Sequence, residues 1–428
     1  MTDTIFALSS GSPPAAIAVL RISGPRSGAA LTALTRRLPP ARRASMVALR
    51  HPVDGDLLDR ALALWFPGPA SATGEDLAEL HLHGGRAVVA AVERALGGLP
   101  GLRPAEAGEF TRRAFVHGRL DLAEAEGLAD LLAAETELQR RSALTMASGE
   151  LSRRIERWRD IVLELSAAVE AVLDFSDEED IAELPASFAR SCAALADELD
   201  RHLARPRAEL LREGFTVVLA GPPNSGKSTL FNALTDSEAA ITSPLPGTTR
   251  DLIARTVALD GVPFRFIDTA GLRDETGDPI ERIGIERAQH AITTADLVLW
   301  LGSCGEGPAA SDLWEVAPRQ DALGAVTKPA PAFAVSAVTG AGIDSLRGAM
   351  IEHARRCLPQ PGEAALNRRQ HGLLRACAEA ITEVGHEVDP LLIAEHLRAA
   401  RASLDALLGR SGTEAMLDAL FGRFCIGK

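Results

Sequence analysis

The sequence is short of cysteine, and the few it has are dispersed. Cys192, Cys304, Cys357, Cys377 and Cys425 stand in 428 residues, and no two form a C-x-x-C pair. That argues against a zinc site and for a reducing cytoplasm. No apolar run reaches the roughly 18 residues that a membrane span needs, so none is expected. Met1-Thr2-Asp3-Thr4 has no basic stretch leading into an apolar one, so no secretory signal is expected. Positive charge is also scarce: 45 Lys and Arg against 58 Asp and Glu leave a net charge of −13. Such a chain does not coat nucleic acid indiscriminately, although a local basic surface stays compatible with it. What remains is ordinary for globular protein, 46% apolar and 24% charged, and long enough for about two to four domains.

The chain is organised around Gly221-Pro222-Pro223-Asn224-Ser225-Gly226-Lys227-Ser228. This is the phosphate loop G-x-x-x-x-G-K-S/T. The apolar run Phe215 to Ala220 before it predicts a buried strand, and Thr229 to Leu234 after it predicts a helix. The glycines let backbone N–H groups curl around phosphate, and the helix start adds partial positive charge. Lys227 is expected to reach the β/γ-phosphates and Ser228 to bind Mg²⁺.

Residues 1–118 predict an α+β unit. Ile17 to Ile22 reads as a strand ending at Ser23-Gly24-Pro25, with Arg21 as a half-buried edge residue. Leu77 to His83 reads as another strand, with Glu79 inside it, and Ala87 to Leu96 as a helix. His81 and His83 share one strand face, which could suit a metal, but no third ligand is evident. Leu151, Ile155, Trp158, Val162, Leu165, Val169 and Val172 recur at spacings of four and three, which predicts a long helix in a bundle. The acidic run Asp174 to Asp180 reads as a solvated turn. Residues 187–213 read as resumed helix. From 215 to about 357 the pattern is α/β. Strands are expected at 252–259 and 262–267 around the hairpin turn Asp260-Gly261, then at Asp296 to Leu301 and Phe333 to Ser336, with Ile343 to Cys357 closing the unit. Residues 364–424 are again helical. The simplest architecture inserts a mostly parallel α/β unit into a helical domain made of two separated segments.

Asp268-Thr269-Ala270-Gly271 follows a strand and reads as D-x-x-G, with Asp268 near Mg²⁺ and Gly271 sensing the γ-phosphate. Gly247-Thr248-Thr249-Arg250-Asp251 lies between the two motifs, where Thr249 would complete the Mg²⁺ shell. Ser336-Ala337 sits where a GTPase supports the base. Order and spacing together point to a Ras-like GTPase fold. Guanine reading through N-K-x-D is expected at Thr327-Lys328-Pro329-Ala330, where the lysine survives without the asparagine and aspartate. That predicts weakened GTP affinity and relaxed base selectivity.

These residues resemble the tRNA-modification GTPase family MnmE (TrmE) along essentially the whole chain. The most specific pieces are Gly108 to Phe115, Leu120 to Glu126, Gly247 to Asp251, Asp268 to Arg273, Glu281 to Arg287 and the terminal Cys425-Ile426-Gly427-Lys428. The resemblance implies an N-terminal tetrahydrofolate-binding and dimerisation domain over 1–118. It implies helical segments at 119–212 and 359–428 around a G domain at 213–358. It further implies a cytoplasmic homodimer that joins an FAD-dependent partner in a heterotetramer. Together they would modify C5 of the wobble uridine of tRNA with a one-carbon unit from 5-formyl- or methylene-tetrahydrofolate. The folate-contacting positions would be Arg21, Glu79, Arg119 and Lys428, with arginine at 119 where the family usually has lysine. GTP would be held by Asn224, Ser225, Gly226, Lys227, Ser228, Thr229, Ser243, Thr248, Thr249, Asp268, Thr269, Ala270, Gly271 and Lys328. K⁺ would be held by Asn224, Ser243, Leu245 and Thr248, Mg²⁺ by Ser228 and Thr249, and Glu281 would orient the attacking water. Glu281 lies one residue further from Asp268 than is usual in the family. Cys425 reads as a buried helix-end thiol, with a role near the folate as the alternative. Two other readings stay open: a GTPase switch in ribosome or RNA maturation, and a folate-dependent one-carbon transferase with a weakened GTPase.

Overall fold

The computed structural model describes residues 3–174, 184–206, 208–236, 253–269, 289–322, 328–329, 333–359, 363–411, 414–422 and 424–427. The chain divides into two compact units. One comprises Met1–Ala129, Leu151–Arg159 and Arg401–Lys428, and the other Asp130–Glu150 and Asp160–Ala400. The helical segments are thus shared between the two.

The first unit is built on a six-stranded sheet: β1 Thr4–Leu8, β2 Ile17–Ser23, β3 Ser45–Arg50, β4 Leu57–Phe66, β5 Leu77–His83 and β6 Leu102–Pro104. Their order is β3-β4-β5-β2-β1-β6. All pairs are antiparallel except β1 with β6. Strand residues alternate between faces. Ala18, Leu20 and Ile22 of β2 and Ala78, Leu80 and Leu82 of β5 are buried in one core with Leu31, Leu34, Val92 and Leu96. Those last four come from the helices Ser27–Thr35 and Arg86–Gly97. The opposite face therefore carries Arg21, Glu79, His81 and His83. There Ile5 and Ala7 pack with Ala105 and with Phe110 of the helix Glu109–Val116. Arg21 is not an edge residue, as its spacing alone suggests. β2 lies between β5 and β1, and the carboxylate of Glu79 opposite is what makes a cation tolerable there.

The chain's C-terminus returns to this unit. Phe421, at the end of the helix Glu414–Phe421, and Phe424 pack with Ala125, Phe115 and Leu120. Ile426 then makes a β-bridge to Ala107.

The second unit contains the α/β sheet: β7 Phe215–Ala220, β8 Ile253–Leu259, β9 Val262–Asp268, β10 Leu297–Trp300, β11 Leu313–Ala317 and β12 Phe333–Ala334. The order is β12-β11-β10-β7-β9-β8, and only the β8–β9 hairpin is antiparallel. Its turn, Asp260-Gly261, has φ of 48° and 76° at its two residues, as a tight two-residue hairpin requires. Strand interiors, such as Phe215, Val217 and Leu219, are fully buried against Leu230, Leu234, Leu346 and Met350 of the flanking helices Lys227–Thr235 and Ile343–Cys357. The stripe from Leu151 to Val172 forms one helix, Glu150–Asp174, and every stripe residue is buried. The expected continuous helix at 187–213 is instead two, Ala186–Leu203 and Glu209–Glu213. Pro206 lies in the break, where a ring without an N–H cannot continue the ladder. Ala186–Leu203 packs on Arg368–His386, and Leu195, Leu199, Leu374 and Ile381 of these helices are buried. Among the described residues no helix is long and apolar enough to cross a membrane.

Candidate functional site

The phosphate loop leaves β7 at the C-terminal edge of the parallel sheet. That edge, where strand order reverses, is where α/β sheets bind ligands. Gly226 caps the helix Lys227–Thr235 at φ 94°, a conformation that favours glycine, and no side chain caps the helix start. The first-turn amides are therefore available to an anion. Lys227 is buried, and its Nζ donates to the carbonyls of Gly221 at 3.0 Å and Pro222 at 2.8 Å. The lysine is thus folded over the loop it would share with phosphate. Ser228 and Thr229 are exposed at the first turn, and Asn224 is exposed at φ 62°. Ser225 Oγ is buried without a hydrogen-bond partner, a polar atom that a bound phosphate would satisfy. Donors and hydroxyls gathered at one helix start fit a Mg²⁺-nucleotide.

Asp268 ends β9 opposite Leu219 of β7, one residue before the end of that strand, and is buried. Thr269 Oγ1 donates to the Leu219 carbonyl at 2.8 Å, so both motifs are fastened side by side. Ser243, Leu245, Thr248, Thr249, Ala270, Gly271 and Glu281 lie outside the described residues, as do Thr327 and Ala330.

The structure does not favour base reading by 327–330, whose lysine is enclosed elsewhere. β11 ends at Ala317 and leads straight into Pro318-Arg319-Gln320-Asp321. The aspartate missing from 327–330 is present here, at the same spacing. Ser336, buried and just after β12, donates through Oγ to Asp321 Oδ1 at 2.5 Å. That hydrogen bond, aided by Arg319, holds the Asp321 carboxyl below its usual range. Gln320 N donates to Val335 O and Val335 N to Ala317 O, which joins the two loops. Arg319 Nε comes within 3.6 Å of where a Cβ on Gly226 would stand, so a cation overhangs the phosphate loop. Lys328 is elsewhere. Its side chain is 1% exposed, its Nζ donates to Trp300 O at 2.9 Å, and it pairs with Glu315. An ammonium so enclosed has no face left to lay over a base. The usable signal was the run Leu313 to Ala317 before x-R-x-D, hidden because proline and arginine replace the asparagine and lysine.

On the first unit, Arg21 Nε and Nη2 donate to Glu79 Oε1 at 3.0 and 2.8 Å across the β2–β5 ladder. The guanidinium lies 5.8 Å from the Phe110 ring centroid. Ser9 Oγ donates to the Gly427 carbonyl at 2.8 Å, and Gly427 runs against Leu8. Leu8 follows Ala7, the β1 partner of Arg21. The chain's end is thus brought to the strand beside Arg21, although Lys428 lies outside the described residues. Arg119 is exposed and lies against Gly74. His83 Nδ1 is 2.7 Å from Asp59 Oδ1, and His81 Nε2 is 3.7 Å from Glu79 Oε2. The expected buried helix-end thiol at 425 is not found. Cys425 is exposed, in the bridging segment after the last helix, and its carbonyl accepts from Gly108 N. Burial instead pushes the thiols of Cys192 to about 11 and Cys377 to about 12, which leaves both protonated.

Comparison with known proteins fits this geometry. A model described as "GTP-binding protein TrmE N-terminus" matches residues 4–119, and one described as "MnmE helical domain" matches residues 122–425. The chain is 63% identical to the tRNA modification GTPase MnmE of Novosphingobium aromaticivorans and 58% identical to that of Erythrobacter litoralis, over 100% of both chains in each case. Among solved structures, Era of Aquifex aeolicus bound to GDP and AlF4⁻ is 23% identical, with 41% of this chain and 69% of that one covered and a TM-score of 0.26. The chain belongs to the MnmE family of tRNA modification GTPases.

Proposed function

We propose that the chain hydrolyses GTP and couples hydrolysis to modification of C5 of the wobble uridine of tRNA. The observation that carries the guanine reading is the Ser336–Asp321 pair beside a phosphate loop on one sheet edge. A carboxylate held there accepts two hydrogen bonds from a guanine edge, and the Arg319 guanidinium covers the base plane. Lys227 and the amides after Gly226 orient the phosphates. Mg²⁺, held by Ser228 and Thr249, and K⁺, held by Asn224, Ser243, Leu245 and Thr248, would neutralise charge developing between the β- and γ-phosphates. Glu281 orients the attacking water. GTP turnover in K⁺ compared with Na⁺ tests the cation assignment. Glu281→Ala should retain nucleotide binding and lose the K⁺-stimulated rate.

The reading extends to a tetrahydrofolate site on the first unit, with Arg21 and Arg119 and the terminal Lys428 taking the ligand's carboxylates and Glu79 its pterin donors. The domains would be 1–118, 119–212 with 359–428, and 213–358. The assembly would be a cytoplasmic homodimer joined to an FAD-dependent partner. Equilibrium dialysis with 5-formyltetrahydrofolate tests the folate site, and mass spectrometry of wobble nucleosides from a deletion strain tests the product. A folate-dependent one-carbon transferase with a weakened GTPase predicts folate binding without K⁺-stimulated GTP turnover. A switch acting in ribosome or RNA maturation predicts unchanged wobble nucleosides in that strain.

A further inference from the structure

Residues 4–53 contain seven arginines and no aspartate or glutamate, in a chain whose net charge is −13. Four of the seven fall in Arg36-Arg37-Leu38-Pro39-Pro40-Ala41-Arg42-Arg43, and all four are exposed. The bend that holds them is built, not loose. Arg36 caps the helix Ser27–Thr35 in the left-handed conformation, φ 64°, with its amide on Thr32 O. Arg42 has φ 58° and donates its amide to Trp65 O. Its guanidinium lies 5.8 Å from the Phe66 ring centroid and also bonds the Ala70 carbonyl. Arg43 then leads into β3, an edge strand of the sheet.

None of the four makes an ion pair among the described residues. In the same unit, Arg103, Arg112, Arg113, Arg159 and Arg410 all do. The β3–β4 turn carries Asp54 and Asp56. Asp54 there pairs with His51 and accepts from Asp56 N, and the Arg36 guanidinium lies beside Gly55. Four unneutralised guanidiniums on a fixed bend repel one another unless something anionic lies across them.

We propose that Arg36, Arg37, Arg42 and Arg43 form a contact surface for the phosphate backbone of the tRNA substrate, an assignment that rests on the tRNA reading above. Guanidinium forks match phosphate bidentately and can also stack on unpaired bases. A lipid surface would call for an amphipathic helix or a lipid anchor beside the charges. This patch is a proline-stiffened bend and a strand end.

The test is filter binding of the full chain to unfractionated bacterial tRNA across a salt series. The variants are R36Q/R37Q/R42Q/R43Q and, to spare the Arg36 and Arg42 contacts, R37Q/R43Q. The pair should weaken binding about tenfold and lower the log–log salt slope by about 2, and the quadruple should lower it by up to about 4. GTP turnover without tRNA should not change, and R398Q, in the Arg398–Glu395 pair, should leave the slope alone. Equal slopes for the wild type and both arginine variants overturn the proposal. So does loss of binding to phosphatidylserine vesicles with tRNA affinity intact, which would assign the patch to a membrane. A wild-type chain that hydrolyses GTP but binds no tRNA at any salt overturns the tRNA reading itself.

Discussion

Ser336 and Asp321 are fifteen residues apart, yet the hydroxyl of one donates to the carboxylate of the other at 2.5 Å. The contact exists because parallel β11 and β12 end side by side, with Val316 opposite Phe333 and Ala317 opposite Ala334. Each strand delivers its following loop to the same point on the sheet edge. A carboxylate there is held by that hydrogen bond and open to solvent on its remaining sides, which suits the reading of two N–H donors.

Asp321→Asn should exchange one purine for another. The amide cannot accept twice, so GDP affinity should fall on the order of 100-fold. XDP, which presents a carbonyl where guanine has an amino group, should gain. Competition of GDP, ADP and XDP against a fluorescent nucleotide measures both. Ser336→Ala should act in the same direction but more weakly, and acid loss of GDP binding should begin at higher pH. The hydroxyl holds the Asp321 carboxyl below its ordinary value of 3.8, so its removal lets protonation set in earlier. A variant Asp321→Asn that still prefers guanine would remove this residue from base recognition.

How much of this was legible in the sequence depended on how local the signal was. The phosphate loop, the hairpin at Asp260-Gly261 and the stripe from Leu151 to Val172 each encode their structure within a few residues, and all three are found as expected. Arg21 and Glu79 could be chosen but not joined, because strand register is a long-range property. The sequence of β11 gives a weak strand signal because Trp314 and Glu315 are only partly buried and blur the apolar run. Without a strand legible at 313–317, Lys328 is the one feature of the expected N-K-x-D pattern that stands out in this stretch, whereas x-R-x-D at 318–321 does not. No local feature of Arg113 announces that it is fully buried among Asp3, Glu75 and Glu109, residues from three separate stretches.

Lys328 should matter to stability, not to base preference. Its ammonium ties β10, through Trp300 O, to Glu315 of β11, which also accepts from Gly305 N. Burial alone would raise the Glu315 carboxyl, but Lys328 and the Gly305 amide outweigh it and hold the group below its usual range. Lys328→Met strands that carboxylate and should cost about 1–3 kcal/mol, less than a wholly enclosed pair because Glu315 is partly exposed. Urea unfolding followed by tryptophan fluorescence gives the loss. The GDP-to-XDP affinity ratio should stay at its wild-type value.

Acid should weaken the first unit through Glu109. Burial raises this carboxyl, but hydrogen bonds from Arg103, the Glu106 amide and Arg113 together pull it below its ordinary value of 4.5. A folded-state pKa below the unfolded one stabilises the fold at every pH above about 4.5, and that contribution is lost as pH falls through the folded value. Asp3, also lowered, adds to the loss in the same direction. Glu109→Gln should therefore lower the melting temperature at pH 7 and flatten its decline between about pH 5 and 3. Parallel pH–melting curves for the wild type and the variant would count against the network.

The last prediction concerns how the C-terminal segment reaches the amino-terminal sheet. Gly427 has φ 95°, and a Cβ placed on it would stand 2.1 Å from Leu8 O. Both backbone conformation and space thus demand glycine, and the obstacle is main chain of β1, which cannot swing aside as a side chain could. Gly427→Ala should lift the tail off β1, break the Ser9 Oγ to Gly427 O hydrogen bond and free the Ile426 bridge to Ala107. The helix Glu414–Phe421 should stay docked, because Phe421 and Phe424 are buried independently of the bridge. The expected result is faster carboxypeptidase trimming with little change in melting temperature. On the proposed folate reading, affinity for 5-formyltetrahydrofolate should fall by about tenfold or more. Ser9→Ala, which removes one hydrogen bond and adds no clash, should move both readouts the same way by a smaller amount. If Gly427→Ala sped trimming while folate affinity held, the tail would be a structural clasp, and the proposed folate site would have to be built on Arg21 and Arg119 alone.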